Sequence, residues 1–217
     1  MMGASILIAW VVICFAAIIL WALLIQPRSE RASAEIASCD WWKFSGLEQI
    51  VSKDFALYQI VPADNVTVAE YHIMDDSDRE LGRYTGTGRK SALLQYSRKT
   101  ANLYIQGAAI GGSTYAGRVG GKSNNSVVIR DDRHVIAEAW RTRVFPATRY
   151  KVKCSEDIIQ MAFGGIWPTS PGTITRNGEQ IAAFRRPNIS SRNFFIAFRP
   201  QLSDELKVLL CAISLLQ

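Results

Sequence analysis

The stretch "SDELKVLLCAISLLQ", Ser203 to Gln217, decides the fold. Ser203 suits a helix N-cap, and Asp204 with Glu205 in the first turn complements the positive end of the helix dipole. Beyond Lys207, the residues from Val208 to Leu216 leave only Ser214 polar. A helix that is apolar on every side must be surrounded by protein or by lipid. Counted from Leu206, about ten residues rise only ~15 Å, half of a hydrocarbon core. Lipid fits poorly and protein fits well. The expectation is a helix over 204–216 that the rest of the domain encloses.

The chain upstream reads as strands. "LYQIV", "VTVAEYHI", "ALLQYS", "ANLYIQG", "SVVIR", "HVIAEAWR", "RYKVKC", "IIQMAFGG", "GTITR", "QIAAFRR" and "FFIAF" are short, often alternating, and bounded by Gly, Pro, Asn or Asp. In "TRNGEQ", Asn177-Gly178 sits between two such runs, the strongest short-range hairpin signal. "RDDRH" repeats that arrangement less cleanly. With no helical pattern between the runs, a sandwich or a closed barrel is expected. The apolar tail selects the barrel, because a helix fills a lumen that strand side chains alone would leave hollow. The fold expected is therefore mainly β: a closed barrel of about eleven or twelve strands around a hydrophobic C-terminal helix.

Two of the hairpins look like copies. "IRDDRHVIAEAWR" from Ile129 and "ITRNGEQIAAFRR" from Ile174 align without gaps at an offset of 45, matching Ile129 to Ile174, Ile136 to Ile181, Ala137 to Ala182 and Arg141 to Arg186. These hairpins, with "FFIAF" and the closing "DELKVLLCAISLL", resemble the tubby C-terminal-like fold shared by tubby proteins, phospholipid scramblases and the LURP-one-related family. The resemblance covers about Phe55 to Gln217 and implies a strand-rich closed barrel around a C-terminal helix. Scramblases carry a cysteine-rich stretch and a membrane segment near the C-terminus. Residues 28–217 show neither pattern, and no ligand residue of the family transfers to this chain.

The N-terminal part has a different character. Residues 1–27 carry no charged side chain, and "ASILIAWVVICFAAIILWALLI" from Ala4 to Ile25 gives about 33 Å of helix at ~1.5 Å per residue. A cleaved signal peptide would show a basic start and a shorter apolar core. The reading is a retained single-pass anchor over residues 1–27, a juxtamembrane helix or linker over 28–54, and a barrel domain over 55–217. In "DWWKFSGLEQIVSKDF", Trp41, Phe44, Leu47 and Ile50 recur at roughly helical spacing across Gly46. Core packing explains that stripe better than a helix resting on headgroups. Arg28 and Arg31 follow the anchor and no Lys or Arg precedes it, which places the β domain in the cytoplasm. Sequons at Asn65, Asn124 and Asn188 point the other way and weigh less, since such triplets arise by chance.

Charge is uneven. Residues 28–80 hold 5 Lys/Arg and 11 Asp/Glu, whereas residues 81–217 hold 20 and 8. A tethered domain with a basic larger part suits an anionic leaflet, where each nearby Lys or Arg contributes ~1 kcal/mol. "RTR" and "KVK" set Arg141/Arg143 and Lys151/Lys153 at i, i+2 on successive strands, expected to converge on one face as an anionic-headgroup site. Arg185 and Arg186, with Arg192, offer a second cluster. Other motifs fail. "AGRVGGKS", Ala116 to Ser123, imitates a phosphate loop, but turn and β-branched residues follow where a helix should start. In "DDSDRELG", Asp76, Asp78 and Glu80 have calcium-loop spacing, yet Leu81 and Thr87 occupy the positions of the required Gly and Glu. His72 and His134, expected on strand surfaces, have no metal spacing, and Cys154, which as a nucleophile would need a His and an orienting group that sequence does not identify, reads as a buried or idle thiol. Neither a cofactor nor nucleic acid is expected as a partner. The function expected is a non-enzymatic, single-pass membrane-anchored module for anionic phospholipid or a membrane partner. The alternative is a structural or assembly protein with an extracytoplasmic β domain.

Overall fold

Residue 40 begins the part of the chain that the computed structural model describes, which comprises 40–52, 54–63, 69–88, 91–106, 126–143, 148–164, 170–187 and 193–215. A compact unit runs from Trp41 to Gln217. Its elements are a short helix α1 (Trp41–Ser45), a 3-10 turn (Leu47–Gln49), twelve strands and a final helix α2 (Asp204–Ser214). The strands are β1 (Ala56–Pro62), β2 (Glu70–Asp75), β3 (Glu80–Gly88), β4 (Ser91–Tyr96), β5 (Lys99–Gln106) and β6 (Ser126–Arg130). They continue as β7 (Val135–Arg143), β8 (Arg149–Cys154), β9 (Asp157–Ala162), β10 (Gly172–Arg176), β11 (Glu179–Arg185) and β12 (Phe194–Phe198). Each pairs antiparallel with its sequence neighbours, and β1 also pairs with β12, Ala56 opposite Phe198, so the sheet closes on itself.

The eleven strand runs of the sequence are all present. The twelfth, β3, reads "ELGRYTGTG", and its glycines had masked it. Gly82 has a structural reason. A Cβ there would lie 2.6 Å from the Gln95 carbonyl oxygen and 2.8 Å from both Val208 methyls, so α2 presses against β3 where a side chain has no room.

Helix α2 occupies the core. Every residue from Lys207 to Ser214 is buried, and eight consecutive residues make more than two turns, so all sides of the helix are covered. Its Val208, Leu210, Ala212 and Ile213 join the inward residues of the strands in one apolar cluster. Small inward residues make the space: Ala92, Ala101, Ala137, Ala139 and Ala182 all belong to that cluster. An eight-strand barrel is filled by its own side chains; twelve strands enclose a wider lumen, which a helix about 10 Å across takes up. Each fully buried Val, Leu or Ile contributes roughly 1.5–3 kcal/mol. Ser203 caps α2 by accepting from the Leu206 N–H at 3.3 Å. Lys207, buried near the helix start, donates to the Tyr58 hydroxyl (3.1 Å) and to Asp204 (3.2 Å).

Since the strands form a meander, their connections alternate between the two ends. One end carries the tight turns β2–β3, β4–β5, β6–β7, β8–β9 and β10–β11. The positive-φ residues Asp78, Ser97, Ser155 and Asn177 all lie in these turns. Asn177 (φ 53°) and Gly178 (φ 83°) make the two-residue hairpin expected of Asn-Gly. Helix α2 enters at this end, where Lys99 Nζ meets Glu205 at 2.7 Å and Arg199 pairs with Glu179. The 45-residue copies are the β6–β7 and β10–β11 hairpins, and they share an irregularity. Register shifts between Ile129 and Arg130 and, at the matching place, between Ile174 and Thr175. The β2–β3 pair shifts likewise between Ile73 and Met74, so the same bulge recurs every fourth strand.

Strands β1, β11 and β12 are buried on both faces. In β12, Phe194, Ile196 and Phe198 join the inner cluster, whereas Phe195, fully buried, faces out beneath α1. The Trp41 and Phe44 rings meet it edge-on at 6.1 and 5.9 Å. Residues 41–51 are therefore an outer apolar layer over the closing seam, with Leu47 buried in it. They belong to the barrel unit rather than to the linker assigned them from sequence. Among the described residues no helix is long and apolar enough to cross a membrane; the expected anchor at 4–25 lies outside them.

Candidate functional site

Strand β8 alternates cleanly. Tyr150 and Val152 point into the barrel, and Arg149, Lys151 and Lys153 are exposed on its outside. Their neighbours across the sheet are Trp140 opposite Lys151 and Glu138 opposite Lys153 on β7, and Gln160 and Ile158 on β9. Among the described residues none of the three cations is in an ion pair. Cations elsewhere on the barrel do have carboxylate partners. On the outer face of β2–β3, Arg83 bridges Glu70 (3.3 Å) and Glu80 (3.2 Å), and His72 Nδ1 lies 3.0 Å from Glu80. Burial alone would raise the Glu80 carboxyl, but Arg83 and His72 outweigh it and hold it below its ordinary value. The β2–β3 face thus holds paired charges, whereas the three β8 cations have no ion pair among the described residues, with Glu138 the carboxylate opposite Lys153 in register.

The four cations expected to converge do not. Arg141 is opposite Tyr150, one position out of step with Lys151. It therefore shares the inward phase of Ala137 and Ala139, and its charge acts on the buried Tyr150 hydroxyl, which burial raises and Arg141 partly restores. A register shift between Arg141 and Arg143 then brings Arg143 opposite Arg149. Sequence spacing gave the right hairpin and missed both the register and the bulge. Arg149, the third outward cation in "RYKVKC", was overlooked although the same alternation marks it. Arg185 and Arg186 also part company. Arg185 lies on the outer side, opposite Phe195, with its guanidinium against Gly46. Arg186 stacks on the Phe194 ring at 4.4 Å, and burial pulls its pKa below the ordinary arginine value. Arg192 lies outside the described residues.

The remaining motifs resolve as structure. Asp75 closes the β2–β3 turn, accepting from the backbone N–H of Ser77 (3.0 Å) and of Arg79 (2.9 Å) and from Arg79 Nε (2.9 Å). Asp76, Asp78 and Glu80 share that hairpin. His72 is on β2 as expected, whereas His134 is exposed in the β6–β7 turn rather than on a strand. Burial, helped by the charge of Asp157, pushes the Cys154 thiol up to about 11, so at neutral pH it is no thiolate. The loop "AGRVGGKS" and the three sequons lie outside the described residues; strand β6 begins at Ser126, soon after that loop. Searches against protein families, curated proteins and solved structures return no match to this chain. The geometry above is what speaks to function.

Proposed function

We propose that the chain is a single-pass, membrane-anchored binding module of tubby-like architecture. It is non-enzymatic, and its barrel takes anionic lipid headgroups at the bilayer to which residues 4–25 tether it. The observation that carries this reading is the exposed row Arg149, Lys151, Lys153 on β8, cationic and without ion pairs among the described residues. Three such charges near an anionic leaflet would contribute ~1 kcal/mol each. Trp140, beside Lys151, adds an amphipathic ring of the kind that favours the interfacial layer. The closed barrel with a helix inside is the architecture that the tubby-like resemblance implies, and Arg28 with Arg31 favours a cytoplasmic barrel. The test is sedimentation of residues 28–217, checked for β structure by circular dichroism, with phosphatidylcholine vesicles with and without phosphatidylserine. The protein should pellet only with the anionic vesicles and be released by salt. Failure to bind anionic vesicles at low salt sinks the reading and favours a structural or assembly role.

A further inference from the structure

The outside of the barrel is hollowed between β7 and β10, with a volume of about 320 Å³. Two rows of cross-strand partners build it. Arg149, Ala162 and Thr173 form one row over β8, β9 and β10, and Lys151, Gln160 and Thr175 form the next. The hollow exists because short side chains, Ala162 above all, lie between long ones. Thr142 closes the β7 side, its hydroxyl donating to the Arg149 carbonyl at 3.3 Å. The chemistry is one-sided. A guanidinium, an ammonium, two threonine hydroxyls and a carboxamide supply donors, and no carboxylate is among the described residues that line it. Strands lie about 4.8 Å apart, so donors on three of them surround a space of ~10 Å. That space is small even for a ligand site, where ~300 Å³ is the lower end.

We propose that this hollow binds a phosphate monoester, with Arg149 and Lys151 neutralising the charge and Thr173, Thr175 and Gln160 bonding its terminal oxygens. A tetrahedral group with three terminal oxygens uses donors arriving from several strands; a carboxylate, with two, leaves some of them unfilled. The proposal rests on the anionic-headgroup reading and narrows it from a charged face to a site. Lys153, one row beyond, lies outside the hollow: it adds to the pull of an anionic bilayer surface but does not line the space that a soluble ester would fill, so it serves as the internal comparison for glycerol 3-phosphate alone.

The test uses the full chain in zwitterionic lipid nanodiscs, titrated calorimetrically with glycerol 3-phosphate and with glycerate. The phosphate should bind and glycerate should bind more weakly. Lys151→Met should weaken phosphate binding about tenfold, each of Thr173→Val and Thr175→Val about fivefold, and Lys153→Met by less than about twofold. Adding phosphatidic acid to the disc identifies the source. Suppressed titration means the lipid occupies the hollow, undiminished titration means a soluble ester is the ligand, and either supports the site. Two results overturn it. One is no binding of glycerol 3-phosphate together with indifference to phosphatidic acid. The other is equal losses for Lys151→Met and Lys153→Met with none for the threonine variants. In the second case a diffuse basic face remains and the broader reading stands; it falls only if anionic vesicles also fail to bind.

Discussion

Gly82 is the residue at which the whole architecture is most exposed to test. Its missing side chain lets Val208 of α2 reach the β3 backbone, and the Gln95 carbonyl behind it cannot move without breaking the ladder. Gly82→Ala should cost about 1–3 kcal/mol, as overpacking a filled core does. Urea denaturation reads that loss, and an unchanged midpoint would mean the helix is not pressed there. Asp75 makes a different kind of prediction. Burial alone would raise its carboxyl, but the backbone N–H groups of Arg79 and Ser77 and the Arg79 guanidinium outweigh it and hold the pKa below the ordinary value. Because the folded pKa is lowered, the stabilisation is complete above the unfolded value of about 4 and is lost as pH falls through the folded one. Asp75→Asn should therefore cost roughly 1–2 kcal/mol at neutral pH, and the gap from wild type should close below about pH 4. A gap that stays constant into acid would assign the loss to shape rather than charge.

Helix α1 and the turn after it cover β12 and β11 from outside. That cover explains why "FFIAF" is apolar at every position instead of alternating. Replacing Trp41 and Phe44 together by Ala uncovers Phe195, so the double variant should bind a dye for exposed apolar surface and unfold at lower urea. If neither changes, residues 41–51 add nothing to the barrel and behave as part of a linker over 28–54. Much at this scale was legible beforehand. The all-round apolar tail, the strand runs and Asn177-Gly178 each signal their element through local chemistry, and the element forms. What stayed hidden depends on a partner far away in sequence. Strand β3 was missed because Gly82 is dictated by a helix more than a hundred residues later, and in sequence a glycine reads as a turn. Arg141 was assigned to the wrong face because pairing register is set between strands and by bulges, while i, i+2 spacing describes one strand alone. The Thr173 and Thr175 hydroxyls gave no sign at all, since a β-branched threonine in a strand is ordinary.

For the molecule as a whole, closure and filling depend on each other. The barrel has no free edge because β1 meets β12, and twelve strands can close at that girth because α2 occupies the middle. The face that remains interesting is outside, on β8, where three cations have no ion pair among the described residues, unlike the paired charges of β2–β3. The binding proposals stand on that face, which exists only if the inward half of β8 is held against a filled interior. Native-state hydrogen exchange of the amides from Val208 to Ser214 tests this most directly. An enclosed helix has no local route to water, so these amides should exchange only through global unfolding, with the same free energy as the slowest strand amides and the same urea dependence. Exchange by a cheaper local opening, insensitive to urea, would mean that the helix lies on the surface and that the barrel around it is not closed.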